Sequence, residues 1–150
     1  MKKSPEDEKI DRMLKNQRLT PGGFFGTDTR ELADIITSDG DLVESLGKTC
    51  SEIAARMQEI TEKCIEGFES EVKISDNLIA SETEAKGSIV CPWPHPGRFP
   101  KRVTTLKRID TGRQISWSDL NIHLIAEHGF FEGKGTTFRL EPDELIQMLW

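Results

Sequence analysis

The rhythm of apolar and polar residues changes once along this chain, near residue 70. Upstream, apolar positions recur every three or four residues, the period of a helix buried on one face. Ile10, Met13 and Leu14 form a narrow stripe behind Ser4-Pro5-Glu6-Asp7, where a serine cap, an early proline and early acids favour a helix start. Pro21-Gly22-Gly23 ends it. Leu32, Ile35 and Ile36 mark a second helix, opened by a capping box at Asp28-Thr29-Arg30-Glu31 and stopped at Ser38-Asp39-Gly40. A short helical turn around Leu42, Val43 and Leu46 ends at Gly47. The longest stripe is Ile53, Met57, Ile60, Cys64 and Phe68. It follows a capping box at Thr49-Cys50-Ser51-Glu52, with Gly67 as its stop.

Downstream, short runs over 71–74, 78–85, 103–109 and 114–117 predict strands, and 88–90 leads into a proline-rich knuckle. Ser75-Asp76-Asn77 and Asp110-Thr111-Gly112 supply turns. Ser116 or Ser118 caps a helix that reaches about residue 128 and stops at Gly129. A glycine-rich loop precedes a short strand over 138–140. Pro142 opens a last helix carrying Leu145, Ile146 and Leu149. Helices first, then hairpins mixed with helices, predict an α+β fold. A helical N-terminal half packs on a C-terminal part with β-hairpins, a short histidine-bearing helix and a final helix. Residues 1–23 form an N-terminal extension, and 24–150 form one α+β domain, helical over 24–70 and mixed over 71–150.

Composition narrows the class. The chain has 150 residues, 35% hydrophobic and 31% charged, which supports one modest core. No run approaches the ~20 apolar residues of a membrane span, and no apolar segment follows Lys2 and Lys3 as a secretory signal requires. Three widely separated cysteines fit reduced thiols, so a cytoplasmic protein without a membrane partner is expected. Gly-Lys-Gly-Thr at 133–136 lacks phosphate-loop spacing and follows a helix, so no nucleotide is expected there, nor any organic cofactor.

Charge adds a local feature. Residues 86–117 carry seven basic side chains against one acid, Asp110, on a chain of net charge −6. Arg98, Lys101, Arg102, Lys107 and Arg108 are candidate contacts for nucleic acid or an acidic protein surface. Alternation along a hairpin also produces such strips on solvent faces.

The candidate chemistry lies in one stretch. All three histidines and one cysteine occur as Cys91-x-x-x-His95 and His123-x-x-x-x-His128. Cysteine and histidine bind Zn²⁺ best at neutral pH, and two closely spaced pairs suit a tetrahedral structural ion. The first pair sits in a proline-rich knuckle and the second on the short helix. Over residues 91–128 the order of knuckle, hairpin and helix resembles ββα zinc modules. It departs from them in its Cys/His first pair and in the 27 residues between the pairs, against about 12 in a finger. The chain is not assigned to that family.

On an ideal helix His123 and His128 are about 140° apart, so joining both to one ion calls for unwinding of the last turn. Glu127 shares a face with His123 and is the alternative ligand. With His95 it would leave an open position, as catalytic zinc sites do. Asp119, four residues before His123, suits orientation of that imidazole. Three functions therefore compete: a zinc-locked binding module, a metal-dependent hydrolase or nuclease, and a metal-free helical interaction protein. Self-association through the helices is compatible with each.

Overall fold

The computed structural model describes residues 4–16, 22–68 and 70–150. Five helices and four strands follow in the order α1 (Pro5–Leu14), α2 (Leu32–Ser45), α3 (Cys50–Glu66), β1 (Val72–Ser75), β2 (Leu78–Val90), β3 (Arg98–Arg108), β4 (Gln114–Ser118), α4 (Asp119–His128) and α5 (Pro142–Leu149). The strands form one antiparallel sheet in the order β1-β2-β3-β4. Helices first and hairpins after give the α+β class. Pro21, part of the expected stop after α1, lies outside the described residues.

Local signals place most helix starts. Ser4 and Asp7 form a reciprocal capping box, as do Ser118 and Asn121. Thr49 Oγ1 accepts the Glu52 N–H at 3.1 Å and caps α3. Several expected boundaries are corrected. Asp28 does not cap α2; its carboxylate takes Arg30 Nε and Nη2 at 2.9 and 2.7 Å and the Lys134 N–H at 3.1 Å. Gly40 does not stop α2, which continues to Ser45 and buries Asp39 against Arg139. Phe68 leaves the buried stripe with φ 49° and is 87% exposed. Residues 138–140 form no strand, because the backbone of this segment bonds to Phe131 of the preceding loop and to the Asn121 side chain of α4 rather than to a sheet edge. The two runs at 78–85 and 88–90 are one strand, β2, kept continuous by a register irregularity between Ala85 and Ser88.

Two apolar clusters make the core. The first packs α3 (Ile53, Met57, Ile60, Cys64) on one sheet face (Leu78, Ala80, Leu106, Trp117), with Ile122 and Ile125 of α4 and Leu145, Met148 and Leu149 of α5. Its polar groups are satisfied: Trp117 Nε1 donates to Thr61 Oγ1 at 2.9 Å, and the Thr61 and Thr104 hydroxyls meet at 2.9 Å. The second gathers Leu14, Phe24, Phe25, Ile35, Cys91, Leu120, Leu124 and Phe130. Helix α4 serves both, since its apolar residues occupy two faces. The loops at 22–28 and 130–136 interlock around Gly133, whose N–H donates to Phe24 O at 2.7 Å. A Cβ at Gly133 would strike the Phe25 backbone.

Strand period divides the basic strip. Arg102 and Arg108 share the face of β3 that carries buried Thr104 and Leu106, whereas Lys101 and Lys107 lie on the opposite face, exposed. Arg102 meets Asp119 at 2.6 Å, Glu84 at 2.8 Å and Glu82 at 3.3 Å. Arg108 meets Asp110 at 3.1 Å and donates to the Gln147 and Trp150 carbonyls. Arg98 is exposed and donates to Ser88 Oγ.

Candidate metal centre

The proline-rich knuckle is the loop that closes the β2–β3 hairpin. Val90 and Arg98 are the last paired residues before it. Three prolines within 92–96 stiffen the loop by fixing φ and removing donors. His95 N–H donates to Trp93 O at 2.9 Å, which closes the turn that carries the imidazole. Cys91 at the foot of the loop is buried in the second core cluster. Helix α4 follows β4 without a linker and passes beneath the loop, presenting His123 and His128 to it.

Cys91, His95, His123 and His128 each direct one ligand atom to a common point, all four within 4.8 Å of one another. His123 Nε2 lies 3.0 Å from His95 Nε2, His128 Nε2 lies 3.4 Å from His95 Nε2, and Cys91 Sγ lies 3.5 Å from His128 Nε2. The cluster could hold a metal ion. Glu127 is exposed and is not among its four residues. The last turn of α4 stays helical through His128, and only Gly129 adopts the left-handed conformation, φ 61°. Unwinding is unnecessary because each ring carries Nε2 at the far end of the side chain. The two rings swing inward from their separate faces, with centroids 5.3 Å apart.

Neighbours fix the ring orientations. Trp93 stacks on His128 with centroids 4.0 Å apart and planes 6° from parallel, and Phe99 lies 4.6 Å from His123. His95 Nδ1 contacts Pro96 O at 3.1 Å. A carbonyl only accepts, so that nitrogen carries the proton and Nε2 presents its lone pair to the cluster. Asp119, expected to orient His123, pairs instead with Arg102.

Electrostatics favour neutral imidazoles. Burial lowers the pKa of His123, with a further contribution from His95. Burial, then His123 and His95, pull His128 down to about 4. Burial pushes the Cys91 thiol up. The His123 and His128 rings, held toward the neutral form, face a reluctant thiol, and a cation at the centre of the cluster would stabilise the thiolate. The Cys50 thiol is also raised, first by burial and then by Asp39, so its place at the start of α3 confers no special acidity.

No protein-family model matches the chain, and no curated protein or solved structure is significantly similar to it. Among the described residues no helix is long and apolar enough to cross a membrane. Fold and site together define an α+β protein with a Cys/His₃ cluster able to hold a metal ion between a hairpin loop and a helix.

Proposed function

We propose that the protein is a zinc-locked binding module: Cys91, His95, His123 and His128 hold one Zn²⁺ that ties the β2–β3 loop to α4. The spacing of the ligand atoms carries this reading. Zn–N bonds of about 2.0–2.1 Å and a Zn–S bond of about 2.3 Å, set tetrahedrally, place N···N about 3.4 Å and N···S about 3.6 Å apart. Three of the six separations here are 3.0, 3.4 and 3.5 Å, and the others lie within 4.8 Å, so a small inward movement of the side chains completes the set. Imidazole and thiolate together suit zinc far better than calcium or magnesium, which take oxygen ligands. Four protein ligands leave no position for water, which favours a structural role.

Elemental analysis and zinc K-edge absorption of the untagged protein test this. The expected result is one zinc per chain with three nitrogen and one sulfur ligands. Zinc below about a tenth of an equivalent overturns the reading. A bound water in place of one histidine turns it toward the second reading, a metal-dependent hydrolase. That reading draws on His95 being the exposed member of the four and on a cleft of about 750 Å³ lined by Trp93 and His128.

The binding face of the module is the exposed part of the basic strip. Arg98, Lys101 and Lys107 face solvent, and their partner would be a polyanion, nucleic acid or an acidic protein surface. Arg102 and Arg108 hold the scaffold through their acids. Reversing Lys101 and Lys107 to glutamate should abolish binding of a single-stranded oligonucleotide at low salt while leaving the melt unchanged. Equal binding by parent and variant would remove the strip from the proposal.

A further inference from the structure

The loop after α4 holds a carboxyl that the metal centre does not use. Glu132 is 4% exposed, and its backbone sits at φ 66°, a left-handed conformation that favours glycine. Strain of this kind at a non-glycine residue persists where its surroundings enforce it, and such residues concentrate at ligand sites. Asn121 Nδ2 donates to Glu132 Oε2 at 3.1 Å. Arg139 bonds the Glu132 carbonyl at 2.8 Å but directs its charge at Asp39 and Glu141. Among the described residues no lysine or arginine forms an ion pair with the Glu132 carboxylate. Burial pushes the carboxyl up to about 7, against hydrogen bonding and the charge of Arg139.

A cleft of about 270 Å³ opens beside this residue, lined by Glu132 with Phe24, Ile89, Val103, Leu120 and Phe138. Its wall is mostly apolar. Its volume falls just below the range of about 300–1,000 Å³ usual for drug-sized ligands, so its occupant is small. Arg102 also lines it but is held by Glu82, Glu84 and Asp119, and Lys101 lines it with an exposed, flexible chain. An almost buried acid without a cationic partner, set among aromatic and aliphatic side chains, is complementary to a cation on an apolar body. Aromatic faces add attraction for an ammonium group.

We propose that this cleft binds a small primary amine with an apolar body, its ammonium group pairing with the Glu132 carboxylate and its body filling the space between Phe24, Leu120 and Phe138. None of the residues lining the cleft belongs to the metal centre. Hydrogen bonds to charged groups are among the stronger ones in proteins, so the ammonium contact should be worth at least about tenfold in affinity.

Benzylamine titrated into the full chain near neutral pH, followed by amide chemical shifts, tests the proposal. Expected are saturable shifts at one site that includes Glu132 and Phe138. Benzyl alcohol, with the same shape and no charge, should bind at least about tenfold more weakly. Glu132→Gln should lose benzylamine by a similar factor. Ala85 also lines the cleft, so Ala85→Phe, which narrows it and leaves the carboxyl in place, should lose benzylamine too, and the test stands even if the first variant folds poorly. No saturable shift with benzylamine overturns the site. Equal binding of benzyl alcohol, or undiminished benzylamine binding by Ala85→Phe or by a folded Glu132→Gln, overturns it as well.

Discussion

Cys91→Ala is expected to abolish stoichiometric zinc and to lower stability by several kcal/mol, and a chelator should do the same to the parent. The size follows from two separate contributions. Cys91 is 5% exposed within the second core cluster, so loss of its sulfur costs on the order of 1 kcal/mol in packing, whatever is bound. The metal contribution is larger, because an ion that binds only the folded chain stabilises it by RT ln(1 + [L]/Kd), about 4 kcal/mol at a thousandfold excess over Kd. The two are separable by measuring parent and variant with and without chelator. With zinc they should differ by more than about 3 kcal/mol, and with chelator they should converge to about 1. His95→Ala sharpens the measurement, since that ring is exposed and contributes little to the core. Its loss should appear almost wholly in the zinc-dependent part. Identical melts of parent and Cys91→Ala in zinc would refute the closed site.

The four residues of the cluster could be read from sequence because they are the chain's only histidines and one cysteine, set in two tight pairs. Their convergence could not. Angular separation on a helix describes where Cβ atoms point, while the meeting of His123 with His128 depends on a loop 28 residues upstream that lowers His95 between them. Helix starts at Ser4, Thr49 and Ser118 were legible because capping is local. The run through Gly40 was not, because what continues α2 there is remote. Asp39 is held by Arg139, 100 residues away, and a turn-like Ser-Asp-Gly triplet yields to that pair. The basic strip is continuous in sequence but divided in space. A period of two places Arg102 and Arg108 on one face of β3 and Lys101 and Lys107 on the other. Glu132 carried no signal beyond being an acid in a glycine-rich loop directly after two buried aromatics. Its burial depends on Asn121 of α4 reaching it, a contact that sequence spacing does not announce.

Arg139→Ala is expected to cost about 3–5 kcal/mol, the range for removing one partner of a buried ion pair. The guanidinium meets Asp39 through two bonds of 2.6 and 2.9 Å, Glu141 through two of 3.1 Å, and the Glu132 carbonyl at 2.8 Å. Side-chain exposures of 7% for Arg139 and 5% for Asp39 leave little solvent to screen the pair. Burial alone would lower the arginine pKa, but the Asp39 and Glu141 carboxylates outweigh it and raise it. Truncation therefore leaves the Asp39 carboxylate inside the protein without its ion-pair partner, and that poorly compensated charge is the larger part of the cost. Lysine at 139 should recover only part of the loss, because one ammonium cannot match a planar fork that serves two carboxylates and a carbonyl. Removing both charges with Asp39→Leu and Arg139→Met should cost less than either single change, since well-packed apolar pairs often replace buried ion pairs without loss. Urea unfolding measures each of these variants, with the midpoint falling and the slope unchanged if only stability is affected. A loss below about 1 kcal/mol in Arg139→Ala would mean that water reaches Asp39, and that α2 is held to the segment before α5 by its apolar contacts instead.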